Sequence, residues 1–267
     1  MKTFGKLLLT LLFIPLFFAL LINTTVRFQI LNSDFWSKTL TTDVYEGVRK
    51  AFAIDLERRP AREAVIDPRL FKSIVTPANL EDFTERNIKN FLDFVNGKAK
   101  EFKVYIPLKI LPKGLIPPNL GITSEEISYK ALISLFPGAQ GMQIQEEQLS
   151  RIGTDSTLAF LVSLVLLLLI IYLMYRATLP GKRFVVPGIP FIVSGALTLI
   201  LVGVISVIKL NIGRELAMST DPAQILLVTL APPLATEIVR PWVYIGVGLI
   251  ILGILVIFLK KGSSKKA

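Results

Sequence analysis

Three neighbouring carboxylate pairs, Glu81 with Asp82, Glu125 with Glu126 and Glu146 with Glu147, are the residues here whose type suits general acid–base chemistry. Adjacent helix positions point to different faces, so none of these pairs supplies an opposed acid and base. A carboxylate pair assembled from distant parts of the chain is the alternative. Histidine and cysteine are both absent. This excludes disulfides, cysteine nucleophiles, haem held by His or Cys, and imidazole-based proton transfer, and it removes the usual donors of a zinc site. No GxSxG, GxxxxGK[ST] or GxGxxG pattern occurs, so the nucleophile elbow, the P-loop and the dinucleotide fingerprint are missing. No catalytic, cofactor-binding or metal-binding residue is therefore assigned. No cofactor is expected, and the chain does not read as an enzyme.

Glycine spacing carries more information. Gly188, Gly195 and Gly203 recur at steps of seven and eight, and Gly246 and Gly253 are seven apart. Each set lies on roughly one face of a helix, and small residues let helix backbones approach closely in lipid. The spacing predicts that the third and fourth apolar stretches pack along these seams. A second candidate surface follows Asp221-Pro222, where Ile225, Leu226, Val228 and Leu230 form an apolar run closed by Pro232 and Pro233. At about ten residues the run is too short to span a bilayer. It lies in the outer interface, dips in as a re-entrant turn, or packs on the outer domain, and it is the expected surface for a partner helix or lipid. Glu237 and Arg240 are placed to pair one helical turn apart.

The elements that carry these residues follow from hydropathy. The chain has 267 residues, of which 52% are apolar, and a mean hydropathy of +0.60; an ordinary soluble domain is less apolar. Four uncharged stretches, 7–26, 158–175, 184–208 and 241–259, approach or exceed the length a spanning helix needs. Their interiors offer the hydroxyls of Thr10, Ser163, Ser194, Thr198 and Ser206 but no Asp, Glu, Lys or Arg. That disfavours a monomeric proton-coupled transporter or charged-ring channel. Pro15 suggests a kink or a helix end, whereas Pro187 and Pro190 suit a first helical turn.

Charge placement orients the spans. Lys2, Lys6, Arg176, Lys182, Arg183, Lys260, Lys261, Lys265 and Lys266 flank them with no acidic residue among them. Residues 24–156 hold 18 basic and 17 acidic side chains, and residues 209–240 hold three of each. Nearly all of the net charge of +10 thus belongs to loops next to spans. By the positive-inside rule both termini and the 176–183 loop are cytoplasmic, and a nucleic-acid partner is not expected. Tyr172 and Tyr175 at the inner end of the second span, with Trp242 and Tyr244 at the outer start of the fourth, sit where amphipathic rings favour the interface. Trp36 suits either the outer surface or a core. The first span lacks well-placed small residues for cleavage and reads as an uncleaved signal anchor. Asn23-Thr24-Thr25 matches a glycosylation triplet by chance, at the membrane boundary.

The segment 27–156 is predicted to be a mostly helical extracytoplasmic domain with a minor β contribution. One helix opens at Asp34, capped by Ser33, and runs to Arg58-Arg59-Pro60. Others start at Asp67-Pro68 and at Thr76-Pro77, the latter stopped by Asn96-Gly97. Another starts at Thr123, with Glu126 completing a capping box, and carries Ile127, Ala131 and Leu135. Phe102, Val104, Ile106, Leu108 and Ile110 alternate with polar residues as an edge strand whose partner is unassigned. Residues 138–153 form a stalk or helix into the second span. The lack of cysteine in an oxidising compartment fits a prokaryotic envelope.

The expected architecture is a mainly α, four-span transmembrane bundle. It comprises an N-terminus and first span (1–26), the extracytoplasmic domain (27–156), the second and third spans with their short loop (157–208), an outer loop (209–240) with its apolar segment 222–233, and a last span with a basic tail (241–267). In topology it resembles the four-span scaffolds of the tetraspanin and claudin families, but it lacks their outer-loop cysteines. The expected function is a non-catalytic scaffold or accessory protein of the plasma membrane acting through its outer domain. Its expected partners are the lipid bilayer and a protein partner or second copy of the chain. The alternatives are a ligand-sensing or ligand-binding membrane protein, or an oligomeric channel or transporter.

Overall fold

A computed structural model of the chain describes residues 3–58, 74–109, 124–134, 146–178, 185–216 and 221–263. It is mostly helical. In chain order the elements are α1 (Thr3–Thr25) continued by a π-helix (Val26–Ile30), α2 (Ser33–Thr39), α3 (Thr42–Arg58), α4 (Pro77–Val95), β1 (Lys103–Tyr105), β2 (Glu126–Ser128), α5 (Tyr129–Ser134), α6 (Glu146–Arg176), α7 (Val185–Leu216) and α8 (Pro222–Ser263). Four helices are long and apolar enough to cross a membrane: α1 with its π continuation, α6, α7 and α8. The chain divides into two compact units, one of Met1–Gln29, Ser156–Leu210 and Ala235–Ala267, the other of Ile30–Asp155 and Asn211–Leu234.

The first unit is a bundle of apolar helices. Phe13, Phe17 and Leu21 of α1 are buried against Leu167, Ile170 and Met174 of α6, with Phe191 of α7 and Trp242, Ile245 and Leu249 of α8 packed around them. Phe13 meets Phe191 edge-on at 5.3 Å, a favoured ring geometry. The outward faces are as apolar as the core: Leu11, Val165, Ile200 and Leu255 are each more than half exposed. In water such a surface invites aggregation, whereas in hydrocarbon it is well solvated.

The helices outlast the apolar stretches that announce them. The largest departure from the sequence reading is α8, where Pro232 and Pro233 do not end the run and the helix continues through Pro241 to Ser263. Breaking the helix in an apolar setting would strand several backbone groups, a larger penalty than the few bonds the prolines forfeit. Its 42 residues extend about 63 Å at 1.5 Å per residue, roughly twice the hydrocarbon thickness. Correspondingly, the expected outer loop 209–240 is helical up to Leu216 and again from Pro222. Pro187 does sit in the first turn of α7, but Pro190 lies inside the helix and is fully buried.

The second unit is built around α2, α3 and α4. Phe35, Val44, Tyr45, Ala51, Leu92, Phe94 and Val95 form its buried interior. The single helix expected from Asp34 to Arg58 is two helices. Asn32, not Ser33, caps the first, its side chain accepting from Asp34 N–H at 3.0 Å. That helix closes at Leu40, and the Thr41 carbonyl then receives the N–H groups of Val44 and Tyr45. Thr39, Thr41 and Thr42 are β-branched residues that bond locally to backbone, which favours a break over continuation; the Thr39 hydroxyl indeed donates to Phe35 O at 2.6 Å.

At the start of α4 the Thr76 side chain accepts from Asn79 N–H at 3.2 Å, with Pro77 in the first turn. At its end Gly97 adopts φ +72°, the left-handed stop that glycine permits. The expected capping box at Glu126 is replaced by a strand. Glu126–Ser128 pairs antiparallel with Lys103–Tyr105, Val104 opposite Ile127, which supplies the partner the edge strand lacked. β-branched Ile127 suits a pleated pairing, and helix resumes only at Tyr129. Phe102 joins this hairpin to α4 and α5 through ring contacts with Phe91, Phe94 and Tyr129 at 5.7, 6.1 and 5.5 Å. The helix start at Asp67-Pro68, Thr123 of the capping box, Leu135 and residues 138–145 lie outside the described residues; Glu146 onward is helix.

Candidate functional site

The six carboxylates of the neighbouring pairs are not brought together as acid and base. Glu125 faces Lys109 at 3.5 Å, Glu126 faces Lys103 at 4.0 Å, Glu146 faces Lys130 at 3.1 Å and Glu147 faces Arg151 at 2.6 Å. Asp82 accepts from Arg86 Nε at 2.7 Å and from the Tyr105 hydroxyl at 3.0 Å. The Arg86 hydrogen bond holds the Asp82 carboxyl below its ordinary range. Burial, and then the bond to Asp82, pushes the Tyr105 phenol up. The Arg86 guanidinium lies 4.5 Å from the Tyr105 ring centroid. Asn87 completes this clamp: its side chain accepts from Tyr105 N–H at 2.9 Å and donates to Tyr105 O at 3.0 Å. The cluster fixes β1 on α4. Among the described residues no group of three or more His, Cys, Asp or Glu gathers that could hold a metal.

The glycines in α7 and α8 form a tight antiparallel seam. A Cβ on Gly195 would lie 2.6 Å from Gly246 O, and one on Gly246 would lie 3.1 Å from Gly195 O. Two turns away, a Cβ on Gly188 would lie 2.9 Å from Gly253 O, and one on Gly253 2.7 Å from Gly188 O. Both contacts are backbone against backbone, where no side chain can yield. Gly203 is not part of the seam, since a Cβ there meets nothing within 4 Å. Beside the seam Ser194 is fully buried, and its hydroxyl has no hydrogen-bond partner.

A polar knot at the end of α1 was not picked out by sequence reasoning. The Asn23 side-chain amide donates to Ser163 Oγ at 2.9 Å and Ala159 O at 3.3 Å. Trp242 Nε1 donates to Thr25 Oγ1 at 2.9 Å, and Thr25 passes its own proton to Leu21 O at 2.9 Å. So the triplet Asn23-Thr24-Thr25 joins α1 to α6 and α8. The available signal was an amide inside an apolar run, where a polar group must find a partner or carry its full desolvation penalty. Glu237 and Arg240 do pair, at 3.2 Å.

The apolar run of α8 lies in the second unit. Ile225, Leu226, Val228 and Leu230 are half-buried, and Leu227 is the exposed member. A Cβ on Gly47 of α3 would come within 2.5 Å of the Thr229 side chain, so α8 is seated on α3 there. This is the docked alternative of the three expected for the segment. Gly47 was legible in principle, because glycine inside an amphipathic helix costs about 1 kcal/mol against alanine and asks for a packing reason. Gly153 is similar: a Cβ there would meet Val95 O at 2.6 Å.

No family model matches the chain, and no curated protein and no solved structure is significantly similar to it.

Proposed function

We propose that the protein is a non-catalytic scaffold or accessory protein of a prokaryotic plasma membrane. Four apolar helices hold it in the bilayer, and the Ile30–Asp155 unit works on the extracytoplasmic face. The observation that carries this reading is the division of the chain into an apolar helical bundle and a second compact unit with its own aromatic core. The bundle helices carry no ionisable residue inside their apolar stretches, which supports anchoring over charge translocation. The asymmetry of Lys and Arg supports cytoplasmic termini. The glycine seam supports a stiff α7–α8 hairpin as the anchor.

The chain has no native cysteine, so single cysteines report sidedness directly. In intact cells, Lys98→Cys is expected to react with a membrane-impermeant maleimide, and Arg176→Cys to react only after permeabilisation. The reverse pattern rejects the orientation. Mild-detergent extraction with identification of co-purifying proteins tests the scaffold role; a solitary, non-associating chain counts against it.

A further inference from the structure

A small cavity of about 240 Å³ opens where α2, the start of α3 and the middle of α4 meet. Sites for drug-sized molecules run to about 300–1,000 Å³, so this one admits only a small ligand. Its wall holds two carboxylates, Asp34 and Glu85, two aromatic side chains, Trp36 and Tyr45, and the apolar Ile88. The opposing charge is Lys89, whose ammonium is engaged by Asp93 at 3.0 Å. Trp36 is anchored through Nε1 to Ile30 O at 2.8 Å, which fixes its ring.

Tyr45 provides the independent observation. It is only 2% exposed, it lines the cavity, and its hydroxyl has no hydrogen-bond partner. Buried hydroxyls are nearly always satisfied, and an orphan one beside a cavity invites a ligand. Burial, with Glu85 and Glu81 nearby, pushes this phenol up to about 12. At neutral pH it therefore stays protonated and has a proton to give to an oxygen acceptor.

We propose that this cavity binds a small organic ammonium ion bearing an oxygen acceptor, an amino alcohol in class. The carboxylates and aromatic faces receive the cation, and the Tyr45 hydroxyl donates to the oxygen. This goes beyond the scaffold reading and does not depend on it.

The test uses the full chain in phosphatidylglycerol nanodiscs and three probes: choline, tetramethylammonium, and 3,3-dimethyl-1-butanol, the uncharged isostere of choline. Binding is read by saturation-transfer NMR on the wild type. It is read independently by fluorescence of Trp36 in a Trp242→Phe background, which leaves a single tryptophan. Choline is expected to bind best, tetramethylammonium more weakly, and the neutral isostere least. Glu85→Gln should weaken both cations by about tenfold, the scale of one charge-assisted contact. Tyr45→Phe, which removes only the orphan hydroxyl, should abolish the preference for choline over tetramethylammonium while sparing the latter. If phosphatidylcholine nanodiscs reproduce the Trp36 signal without free choline, a lipid headgroup supplies the same ammonium chemistry. Equal binding of the neutral isostere, or no choline signal at millimolar concentration from wild type with a native melting transition, overturns the proposal.

Discussion

At the scale of single residues, backbone proximity decides what a side chain can be. Gly195 faces the Gly246 carbonyl and Gly253 faces the Gly188 carbonyl, each closer than a Cβ contact allows. Gly195→Leu or Gly253→Leu should lower bundle stability by about 1–3 kcal/mol, the usual penalty for overpacking, read as a fall in melting temperature in detergent. Gly203→Leu, at an open position, should leave the melt unchanged. Spacing alone placed all three α7 glycines on one stripe, and only the close approach of α8 separates two of them from the third. Tyr45 gives a pH prediction. Its phenol rises from 10.0 to about 12 in the folded chain, so the neutral form is preferred there. Its contribution is whole below pH 10 and is lost as pH climbs from 10 through 12. Phenolate absorbance compared between wild type and Tyr45→Phe should show one late-titrating tyrosine that ionises with unfolding. Asp82 has the opposite sign: its depressed carboxyl supports folding above its unfolded value of 3.8 and loses that support on acidification below it.

At the scale of elements, caps were readable and long-range pairings were not. Thr76-Pro77 and Asn96-Gly97 mark the limits of α4 in the sequence, and the helix obeys them, because capping chemistry is local. Replacing Thr76 with Ala should cost about 1 kcal/mol, measured by denaturant or thermal unfolding. Glu126–Ser128 misled for the complementary reason. Its local pattern of Thr and Glu imitates a capping box, while Lys103–Tyr105 of β1 captures it as a strand from across an intervening segment. Proline likewise reads as a stop in isolation, yet α8 runs through Pro232 and Pro233 because an apolar setting makes helix the least costly backbone. The α3–α8 contact offers a coupled test. Gly47→Ala should destabilise by about 1–3 kcal/mol, since the Thr229 side chain lies 2.5 Å from the new methyl and is stiff at χ1. Adding Thr229→Ala should restore much of the loss, a non-additivity that independent sites would not show.

At the scale of the whole molecule, hydropathy made the four long helices legible, because twenty apolar residues without charge have few other destinations. Absent from that reading was how the second unit is completed. It takes Asn211–Leu234 from far along the chain, a segment whose composition reads only as apolar and interrupted. The seating of Thr229 on Gly47 has a consequence for biogenesis. The ribosome delivers α3 well before α8, with α6 and α7 threaded in between. Until then the nascent polypeptide presents an unfinished α3 to the export and quality-control machinery, and contacts closed across such long loops form late. A chain terminated at Leu210 is therefore expected to be cleared by proteolysis even though three of its four anchors have been made, a fate that pulse–chase labelling would reveal.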